Sequence, residues 1–192
     1  MSDVRSTISE QPTDEMLVTN VLEGNTGMFG MLVRRYEQKL LRYGRRFMSG
    51  LEDIEDVVQE VFLRAYQNLR SFDRKRRFSP WIYRIAHNAF VNEMRRATRH
   101  PTVEFNADLL LPHRVQDSPE NDHDRAEMRE FLRKGLDTLD DKYREPLILY
   151  YFEEMSYAEI SDILHIPVST VGVRINRGRT ALRKILGTNT SL

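Results

Sequence analysis

Ile54, Val57, Val58, Val61, Phe62, Ala65, Tyr66 and Leu69 fall at i, i+3, i+4, i+7, i+8, i+11, i+12 and i+15. That spacing places every apolar side chain on one side of an α-helix of about four turns. A helix built this way must bury its stripe against other elements. Strand signals are weak throughout, because the valine clusters recur at helical rather than alternating spacing. The chain is therefore expected to be all-α. The opposite side of this helix carries Asp53, Asp56, Gln59, Glu60 and Arg64. The early acids suit the positive end of the helix dipole, which accounts for some of them without any partner.

The length of 192 residues allows one or two domains and a real core. The chain has no cysteine, which removes disulfides, thiolate metal sites and cysteine catalysis and fits a reducing compartment. It has no apolar run long enough for a membrane span. MSDVRSTISEQP lacks the apolar centre of a signal peptide. A cytoplasmic location is expected.

The formal net charge is +0, but the charges are segregated. Arg34, Arg35, Lys39, Arg42, Arg45 and Arg46 stand against Glu37 alone. Residues 64–99 hold ten Arg or Lys and only Asp73 and Glu93. Residues 104–127 reverse the sign, with Glu104, Asp108, Asp117, Glu120, Asp122, Asp124 and Glu127 against Arg114 and Arg125. His165–Gly187 has five bases and no acid. Two basic blocks separated by an acidic one suggest two nucleic-acid-facing modules and a linker.

Residues 1–12 are polar, carry Pro12, and are expected to form a loose tail. A helix capped by Thr13 or Asp14 runs to Gly24, and a second starts near Thr26 and carries Phe29, Leu32, Val33, Tyr36, Leu40 and Tyr43 on one side. Ser49-Gly50 ends it. SFDRKRRFS, residues 71–79, is a basic loop bounded by Phe72 and Phe78, and Pro80 suits the first turn of the helix WIYRIAHNAFVNEMRR. On that helix Trp81, Ile85 and Ala89 form one stripe, and Tyr83, Arg84, His87, Asn88, Val91, Arg95 and Arg96 another. Aromatic rings beside Arg and Asn are what single-stranded nucleic acid needs, since rings stack on bases and cations hold phosphates. Trp81 and Tyr83 read equally well as core, and Phe90 reads as core.

Residues 101–124 lose periodicity and are punctuated by Pro101, Pro112 and Pro119, which marks a flexible acidic linker. Periodicity returns from Arg125 in Met128, Phe131, Leu132, Leu136 and Leu139, and a further helix starts near Arg144. Ser156 with Glu159 three residues on is a capping-box pattern, followed by Ile160, Ile163 and Leu164 and then the turn His165-Ile166-Pro167. VSTVGVRINRGRTALR follows. Its Val171, Ile175 and Leu182 point inward, and Ser169, Thr170, Val173, Arg174, Asn176 and Arg177 outward. This is a helix-turn-helix with a recognition helix suited to DNA.

DIEDVVQEVFLRAY with SFDRKRRFSPWIYRIAHNAFVNEMRR, and then YREPLILYYFEEMSYAEISDILHIPVSTVGVRINRGRTALRKIL, resemble the two conserved domains of the extracytoplasmic-function sigma factors, a branch of the sigma-70 family. The resemblance covers all but the tail and the linker, in the right order and spacing. It implies two small helical domains at 13–100 and 125–188, joined by the linker 101–124. It implies a protein that is not an enzyme and needs no cofactor or metal. Such a protein binds core RNA polymerase and directs promoter-specific initiation.

By the same resemblance, Asp53, Asp56, Gln59 and Glu60 dock on the clamp coiled coil of the largest polymerase subunit. Phe72, Arg77, Trp81, Tyr83, Arg84, Asn88, Arg95 and Arg96 engage and help to melt the minus-ten element, with Asn88 a candidate contact to a base of the opened non-template strand. Arg95 and Arg96 suit phosphates, which position a protein without reading sequence. Ser169, Thr170, Val173, Arg174, Asn176, Arg177 and Arg179 meet the minus-thirty-five element in the major groove. The resemblance also implies control by an anti-sigma partner.

This chain departs from the family at Gly172 and Val173. A glycine has no side chain to read a base and costs about 1 kcal/mol of helix propensity, while Val173 suits a thymine methyl. Gly178 either weakens the helix or permits close packing. Two other readings compete. A dimeric helix-turn-helix regulator leaves the acidic helix and the aromatic basic loop without a purpose. A metal-dependent nuclease using Asp53, Asp56 and Glu60 lacks a histidine at ligand spacing, since His87, His100, His113, His123 and His165 are scattered.

Overall fold

The helix starts are set by residues that take up orphan backbone groups. In the computed structural model, which describes residues 11–48, 50–97, 122–135 and 138–187, α1 (Asp14–Leu22) begins where the Thr13 hydroxyl accepts from the Met16 N–H at 3.2 Å. It ends at Leu22, and just past its C-cap Glu23 the chain turns at Gly24, whose φ of 107° is a left-handed backbone conformation that favours glycine. A 3-10 turn, Thr26–Met28, leads into α2 (Phe29–Gly44). Then come α3 (Leu51–Gln67), a second 3-10 turn at Leu69–Ser71, and α4 (Phe78–Ala97). The chain continues as α5 (Asp122–Gly135), α6 (Asp141–Tyr151), α7 (Tyr157–Leu164) and α8 (Val168–Gly187). No strand occurs among the described residues, and the fold is all-α.

The described residues divide into two compact units, one ending at Ile85 and the other starting at Ala86, so the division passes through α4. In the first unit α2 packs on α3, and α1 packs on α2 and on the Leu69–Ser71 turn. Its core is Leu17, Val18, Leu32, Tyr36, Leu40, Tyr43, Ile54, Val58, Val61, Ala65, Phe78, Ile82 and Tyr83. Burying a side chain of this size is worth about 1.5–3 kcal/mol relative to leaving it in water. Two interactions from Asp14 fasten α1 to α2. One carboxylate oxygen pairs with Arg35 Nη1 at 2.7 Å, and the other accepts from the Tyr36 hydroxyl.

In the second unit α8 is the central element, packed against α5, α6 and α7. Val171, Ile175 and Leu182 are buried on it together with Met128, Leu132, Leu147, Leu149, Ile160 and Ile163. The expected capping box is formed: the Ser156 Oγ accepts from the Glu159 N–H, and the Glu159 carboxylate accepts from the Ser156 N–H at 2.7 Å. Such caps are worth about 1 kcal/mol.

Several expectations are corrected. α6 starts three residues before Arg144, with Asp141 in its first turn and Pro146 inside it. Asp122–Asp124 begin α5 rather than ending a linker. The tail residues 1–10 and the linker residues 101–121, including Leu109–Leu111, lie outside the described residues. On α4 the buried stripe is Phe78, Ile82, Tyr83, Ala86, Ala89 and Phe90, whereas Trp81 and Ile85 are only half-buried. Apolar and aromatic residues lie almost all round this helix, so spacing alone left its inner face undetermined.

Candidate functional site

α3 turns Ile54, Val58, Val61 and Ala65 into the core. Glu52, Asp53, Asp56, Gln59 and Glu60 are exposed on the other side. They are not equivalent. Asp53 sits over the start of the helix, so that a Cβ added at Gly50 would meet its Oδ2 at 2.5 Å. Its charge therefore serves the helix terminus as well. Glu60 is tied to Arg64 Nε at 2.7 Å. One turn beyond Gln59 and Glu60, at the C-terminal edge of this acidic face, lies Leu63, 51% exposed. Tyr66 is 44% exposed and meets Phe29 edge-on at 5.1 Å. An acidic helix face with a bare leucine at its edge is the composition of a docking surface, an apolar anchor beside charge. Sequence reasoning passed over Leu63. The available signal was a large apolar residue at an outward position of an otherwise regular stripe.

The basic loop after Leu69–Ser71 is a built turn. The Asp73 carboxylate accepts from the Lys75 N–H at 3.0 Å, and its carbonyl from the Arg76 N–H at 2.9 Å. Arg74, Lys75, Arg76 and Arg77 are all exposed. Beneath them Phe72, Phe78 and Trp81 form an aromatic cluster with ring centroids 5.3–5.8 Å apart.

Two expected DNA-facing rings are corrected here. Phe72 is 6% exposed and closes the base of the loop. Tyr83 is 0% exposed and meets Tyr43 edge-on at 5.2 Å. Both are core because neighbouring aromatic side chains from outside their own segment cover them. Trp81 and Arg84 are half-buried, and Asn88, Asn92, Arg95 and Arg96 exposed. Trp81, Arg84, Asn88 and Arg95, at i, i+3, i+7 and i+14, share one side of α4 away from the buried stripe. Arg96 is partly engaged by Glu93 at 3.2 Å.

In the second unit the turn between α7 and α8 is fixed by His165, with a left-handed φ of 54°, and by the Ser161 hydroxyl, which donates to the Ile166 carbonyl at 2.6 Å. On α8, Ser169, Asn176, Arg177 and Arg183 are exposed, and Thr170, Val173, Arg174 and Arg179 half-buried. Gly172 is buried, so it belongs to the packed side of α8. Gly178 decides how close α6 comes. A Cβ there would stand 2.7 Å from Leu147 Cδ1 and 3.1 Å from Tyr143 Cβ. Close packing is thus the use of this glycine. Gly178→Val is expected to lower the stability of this unit by about 1–3 kcal/mol through overpacking. Denaturant unfolding followed by circular dichroism checks it, and an unchanged midpoint would show that α6 is free to retreat.

Residues 32–100 match the family described as Sigma-70 region 2, and residues 131–182 match Sigma-70, region 4. The sequence is 36% identical over 178 residues to the ECF RNA polymerase sigma factor SigW of Bacillus subtilis, covering 88% of this chain and 94% of that one.

The chain belongs to the extracytoplasmic-function sigma factors.

A second relative, the ECF RNA polymerase sigma-E factor of Haemophilus influenzae, is 35% identical over 90% of this chain and 94% of its own length. Among solved structures, CnrH in complex with the cytosolic domain of CnrY matches with a TM-score of 0.62 and 28% identity, covering 92% of this chain and 99% of that one. In this sigma factor the region 2 match takes in α2, α3 and α4, and the region 4 match runs from α5 into α8. The acidic face of α3, the basic loop and the outward side of α4 all fall within region 2. The helix-turn-helix falls within region 4.

Among the described residues no group of His, Asp and Glu could hold a metal ion, and no helix is long and apolar enough to cross a membrane.

Proposed function

We propose that this sigma factor binds core RNA polymerase through the outward face of α3 and carries it to promoters read at two places. Asp56, Gln59 and Glu60, with exposed Leu63 one turn beyond, form the polymerase contact, with Asp53 at its edge. Exposed Arg77, half-exposed Trp81 and Arg84, and Asn88, Arg95 and Arg96 meet the opened minus-ten element, with Asn88 the candidate for a base. Ser169, Thr170, Val173, Arg174, Asn176, Arg177 and Arg179 of α8 enter the major groove of the minus-thirty-five element. Phe72 and Tyr83 serve by packing rather than by touching DNA. The protein performs no catalysis of its own and works in the cytoplasm, where polymerase and chromosome are. A solved relative, CnrH, is bound to the cytosolic domain of CnrY, which supports an anti-sigma protein as a regulator here too.

The observation that carries this reading is the combination of an exposed acidic face, with a bare leucine at its edge, and a built basic loop in one unit. A free-standing DNA-binding regulator has no use for the first. Run-off transcription with sigma-free core polymerase on a randomised promoter library tests it. The added protein is expected to produce discrete start sites sharing two elements. Absence of any complex with core would defeat the reading.

A further inference from the structure

The first four N–H groups of a helix have no partner within it, and those in a buried setting need an acceptor from elsewhere. At the start of α4 the acceptor comes from the other end of the unit. Glu15 Oε1, on α1, accepts from the backbone N–H of Phe78 at 3.0 Å, across 63 residues of sequence. Phe78 is fully buried, against Tyr36 of α2 at 5.5 Å as well as Phe72 and Trp81. Glu15 is itself half-buried. It sits on a helix that cannot slide freely, since neighbouring Asp14 is fastened to Arg35 and Tyr36. The carboxylate also sits at the positive end of α4, where a negative charge is favourable.

From this geometry we infer that Glu15 is a positioning residue for promoter opening: α1 anchors the point where the basic loop 72–77 enters α4. The loop is held at one end by the Leu69–Ser71 turn, which packs on α1, and at the other by this hydrogen bond to α1. Its four consecutive cations, Arg74 to Arg77, are therefore presented from a frame whose two ends both rest on the same short helix. Loss of the acceptor leaves the Phe78 N–H unsatisfied and lets that frame open, while the outward face of α3 is untouched. The inference rests on the proposed role of the loop in meeting the minus-ten element.

The test uses the full chain as wild type, Glu15→Ala and Glu15→Gln. Gln keeps the acceptor oxygen and loses the charge. Amide hydrogen exchange over 72–82 is read on the free protein. Core affinity and promoter opening, by permanganate reactivity of unpaired thymines, are read on the reconstituted polymerase. Glu15→Ala is expected to speed exchange at Phe78 and through the loop on the order of tenfold, as for loss of a charge-assisted hydrogen bond. It is also expected to reduce the opened fraction several-fold with core affinity within about twofold. Glu15→Gln is expected to restore most of both. The inference is overturned if exchange in the loop is unchanged in Glu15→Ala, if Gln rescues neither readout, or if core affinity falls in step with opening. Should the wild type open no promoter at all, the proposed function fails. The exchange measurement then still decides whether Glu15 holds the loop.

Discussion

Asp56→Arg is expected to abolish binding to core RNA polymerase while leaving the protein folded. Asp56 is exposed, and among the described residues no hydrogen bond or ion pair holds its carboxylate. It lies one turn before Glu60 and two turns before the exposed Leu63. Nothing among the described residues relies on it, so the cost to stability stays within about 0.5 kcal/mol, as for surface positions generally. At an interface the same change removes a carboxylate and puts a cation where the partner offers one of its own. Disrupting such a charge pair costs about 2–5 kcal/mol. At 1.4 kcal/mol per factor of ten, that is roughly 30- to several-thousand-fold in affinity. The measurement is competition for labelled core polymerase, with circular dichroism as the control for folding. Core affinity equal to wild type would move the docking surface off α3.

Tyr83→Ala has the largest effect expected on the fold itself. The ring is fully buried, edge-on to Tyr43, in the first unit's core. Truncating a buried aromatic residue to alanine costs about 3–5 kcal/mol through lost transfer energy and the cavity left behind. An edge-to-face pair adds about 0.5–1.5 kcal/mol that is lost with it. Since small domains are stable by only about 5–15 kcal/mol, this change removes a large share of the total. The chain has a single tryptophan, Trp81, packed against Phe72 and Phe78, so its fluorescence reports unfolding of this unit directly. Tyr83→Phe keeps the buried ring and is expected to retain most of the stability that Tyr83→Ala loses. If Tyr83→Ala left stability intact and impaired only promoter opening, the ring would be a base-stacking group after all.

The two outcomes differ because α3 and α4 were not equally legible. On α3 the apolar residues recur in one stripe, and an outward acid can be named from spacing alone. The helix-turn-helix was legible for a related reason. Ser156 and Glu159 form the predicted capping box, and Val171, Ile175 and Leu182 are buried as their spacing requires. On α4 the rings of Phe78, Trp81, Tyr83 and Phe90 and the aliphatic Ile82 and Ile85 leave no single polar side. Which of them touch solvent depends on where Tyr36, Tyr43 and Phe72 arrive, and those positions are set by other segments. Phe72 and Tyr83 were consequently placed on the DNA side and proved to be core.

The sequence by itself determined the all-α class, the faces of α3, the helix-turn-helix and the alternation of charge, because each follows from spacing within a few turns of one helix. Only the tertiary structure decided which side of α4 is buried, that Gly172 lies inward, that Gly178 admits Leu147 and Tyr143, and that Glu15 caps a helix 63 residues away. These are meetings between groups from different segments. A residue's own neighbours in sequence carry no record of them, since the partner is chosen by how whole helices pack.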